Sequence, residues 1–158
     1  IIGILVSTGL RRSELVNIKL ENIVDNRIII MGKGNKERSV FLPEDIYQLY
    51  IRYMKEQKNK NSHYLFNSCY NKTYSPETIR RKVKNLCVLA KIEPDRVENI
   101  SCHTFRRTFA TNMVQNKVDI RVIQGSLGHS SINTTLRYAN LRNSAVEEAM
   151  INQRQIIK

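Results

Sequence analysis

Residues 27–42 read Arg27-Ile28-Ile29-Ile30-Met31-Gly32-Lys33-Gly34-Asn35-Lys36-Glu37-Arg38-Ser39-Val40-Phe41-Leu42. The β-branched run over 27–31 predicts a strand. Gly32 to Lys36 is turn chemistry, because Gly and Asn tolerate positive φ. Glu37 to Leu42 returns as a second strand, so the stretch predicts an antiparallel hairpin. Most of the chain around it is helical in pattern.

Upstream, residues 1–8 predict an apolar helix that Gly9 stops. A second helix is expected from near Arg12-Ser13-Glu14 to near Leu20. Downstream, Pro43 suits the first turn of a helix running to about Gln57. Residues 58–62 are polar and lysine-rich and predict a surface loop. Tyr64-Leu65-Phe66 reads as a short strand. Ser75-Pro76-Glu77 combines a capping serine, a proline at the first helical position and an acid in the first turn. That helix is expected to reach about Lys91. Further helices are predicted over 103–116, 119–127, 131–138 and near 144–156. The fold class is therefore α+β, mainly α-helical with a small antiparallel β-sheet, in one domain over residues 1–158.

Composition fits one domain with a real core: 158 residues, 41% of them hydrophobic. Lys and Arg number 26 against 14 Asp and Glu, a formal net charge of +12. That excess makes a polyanion the first partner to consider. Cys69, Cys87 and Cys102 form no CxxC pair, so free thiols in a reducing compartment are expected rather than a metal site. The apolar opening lacks the basic start and cleavage site of a signal peptide. Gly9 and Arg11 interrupt it before membrane-spanning length. No membrane partner is expected. The uncapped, Met-less start suggests a fragment of something longer.

Strong donors and one candidate nucleophile recur along the chain. Arg11 follows a Thr8-Gly9-Leu10 corner, and Lys33 sits on the hairpin tip. His103 and Arg106 are three apart on a predicted helix and share a face. His129 follows Gly128 at a helix end, and Tyr138 follows on the next helix. A phosphodiester transesterification needs this mixture. Its transition state spreads negative charge over non-bridging oxygens, which two guanidiniums clamp with fixed donors. A tyrosine hydroxyl attacks phosphorus and stores the bond as an ester. A lysine protonates the leaving 5′ oxygen. A histidine donates to the phosphate or manages the tyrosine proton. Cationic side chains supply the electrostatics, so no metal or other cofactor is expected. Each motif alone is weak, since HxxR and GKGxK also arise by chance; the ordered set carries the reading.

Four segments together resemble the signature boxes of the tyrosine recombinase (phage integrase) family. Thr8-Gly9-Leu10-Arg11-Arg12-Ser13-Glu14-Leu15 resembles the first box, and Gly32-Lys33-Gly34-Asn35-Lys36-Glu37-Arg38 the lysine-bearing hairpin. His103-Thr104-Phe105-Arg106-Arg107-Thr108-Phe109-Ala110-Thr111 is similar to the HxxR box. Leu127-Gly128-His129-Ser130-Ser131 through Leu136-Arg137-Tyr138 is similar to the last box. Arg107 and Phe105 depart from the His and Leu frequent at those positions.

The resemblance implies roles for six residues. Arg11 and Arg106 would bind the scissile phosphate, and Lys33 would be the general acid. His103 would assist as acid/base or phosphate ligand, and His129 would hydrogen-bond the phosphate. Tyr138 would be the nucleophile, leaving a 3′-phosphotyrosyl link and a free 5′ hydroxyl. The implied protein is a site-specific DNA recombinase or integrase of a phage, transposon or similar element, working without metal or ATP. Its partners would be double-stranded DNA and, on paired sites, three further protomers in a tetramer. It would act in the cytoplasm at the nucleoid. The family's N-terminal core-binding domain is absent from these 158 residues. The alternatives are a type IB topoisomerase-like enzyme and a non-catalytic DNA-binding module.

Other residues admit two readings. Glu14 reads equally as a partner steering an arginine and as a first-turn acid favoured by the helix dipole. Arg12, Arg107 and Arg137 read as phosphate contacts or as solvated arginines. Lys36 and Arg38 read as DNA-lining or as a charged hairpin edge. Arg80-Arg81-Lys82 with Lys84 favours DNA contact over a plain solvated face. Tyr47, Tyr50 and Tyr53 form a stripe that favours core over a base-stacking platform. His63 reads as surface and Cys102 as a buried thiol. Val146, Ala149, Met150 and Ile157 make a weakly amphipathic tail that docks on a neighbour or folds back.

Overall fold

The structure, a computed structural model, describes residues 1–32, 37–57, 62–68 and 72–139. Two compact units divide the chain, Ile1–Phe109 and the residues from Ala110 onward.

The first unit opens with helix α1 (Ile2–Thr8). Gly9 ends it in the left-handed region, φ 63°, and donates its N–H back to Leu5 O at 3.1 Å. This is the single-bond αL stop that glycine makes without a Cβ penalty. Helix α2 (Arg12–Val16) follows directly. It is shorter than the sequence pattern predicts. Asn17 caps it, donating from Nδ2 to Ser13 O at 2.8 Å. The chain then turns extended at Lys19, where tertiary pairing overrides helix propensity: Leu65 N–H donates to Ile18 O, and Leu20 N–H to His63 O.

A 3₁₀ turn (Leu20–Asn22) leads into the sheet. Its strands β1 (Ile23–Val24), β2 (Arg27–Met31) and β3 (Glu37–Phe41) pair antiparallel in the order β1-β2-β3. The predicted hairpin is β2–β3, with Ile28 opposite Val40 and Ile30 opposite Arg38. The two-residue strand β1 is too short to leave a period-2 signal. Alternation along β2 buries Ile28 and Ile30 and leaves Arg27 and Met31 outside. On β3 the same rule turns Val40 inward, and with it Arg38, two residues away.

Helix α3 (Glu44–Glu56) begins one residue after Pro43, which stands extended before it rather than inside its first turn. Tyr64–Phe66, expected as a strand, forms only isolated bridges, Lys19 with Tyr64 and Asn67 with Thr73. Helix α4 (Pro76–Leu89) starts as its sequence predicts: Ser75 Oγ accepts from Thr78 N–H at 3.1 Å. It stops at Leu89, short of the predicted end, because Lys91 takes φ 56°. Helix α5 (Pro94–Asn99) was not foreseen; it has six residues and buries only Val97. The core joins Leu5, Leu10, Leu15 and Ile18 to Ile28, Leu42, Leu65, Ile79 and Val83. Tyr47 and Tyr50 pack partly buried against it, and the Tyr53 ring lies 5.9 Å from that of Phe66, so the tyrosine stripe is structural. His63 is exposed. Cys87 and Cys102 are free and buried.

Helix α6 (Cys102–Gln115) runs from the first unit into the second. The second unit continues with α7 (Ile120–Leu127) and α8 (Ile132–Ala139), which pack on each other. All three helices match the sequence prediction to within a residue. The helix predicted near 144–156 and Cys69 lie outside the described residues. Among the described residues no helix is long and apolar enough to cross a membrane. None of their His, Cys, Asp and Glu side chains form a group of three that could hold a metal.

Candidate active site

Arg11 stands at the corner between α1 and α2, extended with ψ 152°. Its N–H donates to Glu14 Oε2 at 2.7 Å, and its guanidinium donates to Glu14 Oε1 at 2.9 Å. The same carboxylate takes two further bonds from Arg38, at 3.1 and 2.8 Å. Glu14 is thus both of the things its sequence allowed, a helix-start acid and a holder of arginine. Burial pushes its carboxyl upward, but bonds from Arg38 and Arg11 and the charge of Arg38 outweigh that and hold it below the ordinary glutamate value. The Arg11 side chain keeps 40% of its exposure while Glu14 keeps 9%. The cation therefore faces solvent and its counter-charge lies beneath.

Arg106 reaches the same corner from the opposite end of the sequence. It is 3% exposed, and its guanidinium donates to Gly9 O at 2.8 Å, 97 residues away. The left-handed turn at Gly9 presents that carbonyl to Arg106 two residues before Arg11. Two of the predicted phosphate ligands are so brought to one place. His103, three residues before Arg106, is exposed on the first turn of α6. That turn is tied by a reciprocal pair, Ser101 N–H to Thr104 Oγ1 and Thr104 N–H to Ser101 Oγ, at 3.1 and 3.4 Å.

In the second unit, α7 ends in a Schellman turn. Gly128 takes φ 63°, its N–H donates to Gly125 O, and the N–H of His129 donates to Gln124 O. Gln124 Nε2 also donates to His129 O at 3.1 Å, so the backbone of His129 is held at both ends. Its ring meets Thr135 Oγ1 through Nδ1 at 2.9 Å. It also stacks on Tyr138, with ring centroids 6.4 Å apart and an interplanar angle of 15°. Thr135 and Tyr138 are one turn apart on α8, and both are buried.

The remaining candidates divide by surroundings. Lys33 and Lys36 lie outside the described residues. Arg12, Arg81 and Arg107 are exposed. Arg80 pairs with Glu77 at 3.1 Å on the surface of α4. Lys82 lies 4.9 Å over the Tyr74 ring, and Lys84 donates to Glu98 O at 2.8 Å. Arg38, expected to line DNA or edge the hairpin, instead turns inward to Glu14 with its side chain 13% exposed. Thr135 was missed. Its signal was present, since it sits three before Tyr138 and six after His129, but a lone threonine on a helix carries no pattern.

Residues 1–145 match the sequence model of the phage integrase family. The chain belongs to that family. A tyrosine recombinase of Agathobacter rectalis is 37% identical across 97% of this phage integrase domain and 50% of its own length. Among solved structures, the XerA recombinase is 32% identical with a TM-score of 0.76, covering 96% of this chain and 56% of that one. The XerH site-specific recombinase, captured on palindromic difH substrate after cleavage, is 27% identical with a TM-score of 0.73, covering 94% and 43%. The integrase domain spans about half the length of the relatives it matches.

Proposed function

We propose that this integrase domain is the catalytic part of a site-specific DNA recombinase that cuts and rejoins DNA through a 3′-phosphotyrosyl intermediate. The observation that carries the reading is the Arg106–Gly9 bond, which fixes a buried guanidinium beside the corner bearing Arg11. Arg11, held by Glu14, and Arg106, held by Gly9 O, form a preorganised locus for a phosphate whose charge grows in the transition state.

In this mechanism Arg11 and Arg106 hold the non-bridging oxygens, and His103 and His129 donate to the phosphate or manage protons. The Tyr138 oxygen attacks phosphorus, the P–O5′ bond breaks, and the tyrosine proton passes to a neighbouring base. Lys33 protonates the departing 5′ oxygen. Attack by a 5′ hydroxyl on the phosphotyrosine reverses the steps and rejoins a strand, so bond energy is conserved without ATP. Double-stranded DNA is the substrate. The complete protein acts in the bacterial cytoplasm, with four protomers on two paired sites.

The test uses the full-length protein in EDTA, with nicked duplexes from the ends of the element that encodes it. An adduct on a denaturing gel, lost in Tyr138→Phe with DNA affinity unchanged, is the expected result. Tight binding without adduct would make this a DNA-binding module. Relaxation of supercoiled plasmid lacking any specific site would favour the topoisomerase reading.

A further inference from the structure

Thr135 is fully buried, with 0% exposure, on the face of α8 that also carries Tyr138. Burying a hydroxyl costs free energy unless it is hydrogen-bonded. Here its partner is a single ring atom, His129 Nδ1, at 2.9 Å. The bond spans the turn between α7 and α8, and the His129 ring it fixes lies parallel to that of Tyr138. A threonine in a helix otherwise tends to bond the carbonyl one turn back.

Two proton arrangements of the neutral ring satisfy this contact. When the hydroxyl donates, Nδ1 accepts and the neutral ring carries its hydrogen on Nε2. When the ring donates from Nδ1, neutral Nε2 presents a lone pair, which a phosphate oxygen repels. The hydrogen bond at one imidazole nitrogen decides what the other can do. Of the two neutral arrangements, only the first makes His129 a phosphate donor. The neighbouring contacts, Gln124 Nε2 to His129 O and His129 N–H to Gln124 O, fix the backbone rather than the ring.

We propose that Thr135 is a positioning residue: its hydroxyl donates to Nδ1 and holds His129 as the Nε2–H tautomer, ring parallel to Tyr138. The proposal rests on the transesterification reading for its consequence in catalysis, but the tautomer itself is observable without any reaction.

The experiment compares full-length wild type, Thr135→Val and Thr135→Ser. Valine keeps the β-branched shape without the hydroxyl, and serine keeps the hydroxyl. Long-range ¹H–¹⁵N correlation of the His129 ring reads the tautomer, and single-turnover cleavage of a nicked duplex reads the rate. Wild type and Thr135→Ser should show the Nε2–H pattern, and Thr135→Val a mixed one. Cleavage by Thr135→Val should fall about tenfold, as for other residues that orient a working side chain. Its DNA affinity should stay unchanged, and serine should restore the rate. A wild-type ring protonated only on Nδ1, or a Thr135→Val spectrum identical to wild type, overturns the proposal. So does an altered tautomer with an undiminished rate. A wild type that forms no adduct at all overturns the transesterification reading instead, and the ring spectrum then still decides whether Thr135 sets the tautomer.

Discussion

Arg38 and Glu14 meet in a two-point ion pair, Nη1 to Oε1 at 3.1 Å and Nη2 to Oε2 at 2.8 Å, across 24 residues. The pair fastens β3 to the start of α2. It therefore ties the arm of the lysine hairpin to the corner that carries Arg11. Both side chains are largely buried, so removing either one takes a charge-assisted partner from the other. The planar, forked guanidinium suits a carboxylate that must also serve Arg11.

Replacing Glu14 with Gln should therefore destabilise the fold by about 3 kcal/mol at neutral pH, the scale for removing one partner of a buried pair. The pH dependence has a definite sign. A carboxyl held below its ordinary value contributes stability that is fully present above the unfolded value, about 4.3, and is lost as pH falls through the lower folded value. Urea unfolding of wild type and Glu14→Gln should thus differ most at neutral pH and converge as pH falls below the unfolded value and through the lower folded one. Curves that stay equally far apart in acid would mean that the charge of Glu14 contributes nothing.

The bond of Arg106 to Gly9 O and the phosphate-binding role proposed for it are separated by two substitutions. Arg106→Ala removes the bond to Gly9 O and a buried cation together. Cleavage should slow by on the order of 10² or more, as when other preorganised donors are lost. Arg106→Lys keeps a positive charge but gives up the fork, so it should fall between alanine and wild type. The measurement is single-turnover cleavage of a nicked duplex, with urea unfolding alongside to confirm a folded state. A rate unchanged in either variant would take Arg106 out of the site.

The helices were legible where caps and periodicity agreed. Ser75-Pro76-Glu77 announced the start of α4, and the β-branched run announced β2. Elements failed where long-range pairing decided the backbone. Nothing local in Asn17-Ile18-Lys19 says that Leu65 N–H will bond Ile18 O or that Lys19 will bridge to Tyr64. The site was legible as residue types in order, not as partnerships. Arg38 looked like a hairpin-edge charge, although period 2 from Val40 puts it inward. Thr135 had no pattern at all, because its meaning depends on where the turn after Gly128 aims the His129 ring.

That turn gives a paired prediction on two glycines of one helix. Gly128 needs the left-handed region at φ 63°, so Gly128→Ala should cost about 1 kcal/mol and disturb the His129 N–H bond to Gln124. Gly125 lies within α7 with open space where a Cβ would stand. Gly125→Ala should stabilise the protein by about 0.5–1 kcal/mol through helix propensity. Thermal unfolding of the two variants should move in opposite directions. A neutral Gly128→Ala would mean that the turn relaxes without strain, and that the His129 backbone is not held by it.

The basic face of α4 can be read by salt. With a formal net charge of +12, the protein should bind DNA with an affinity that falls linearly in log salt. Arg81 is exposed, whereas Arg80 is engaged by Glu77 and Lys84 by Glu98. If α4 grips phosphates, Arg81→Ala should weaken binding evenly across DNA sequences and reduce the salt slope by about one. Arg80→Ala should do less, because its charge is already partly balanced. The decisive measurement is a salt titration of affinity on one specific and one unrelated duplex. An unchanged slope with Arg81→Ala would make this face plain solvated surface. A loss confined to the specific duplex would instead mean that Arg81 reads bases, a contact that phosphate neutralisation alone does not produce.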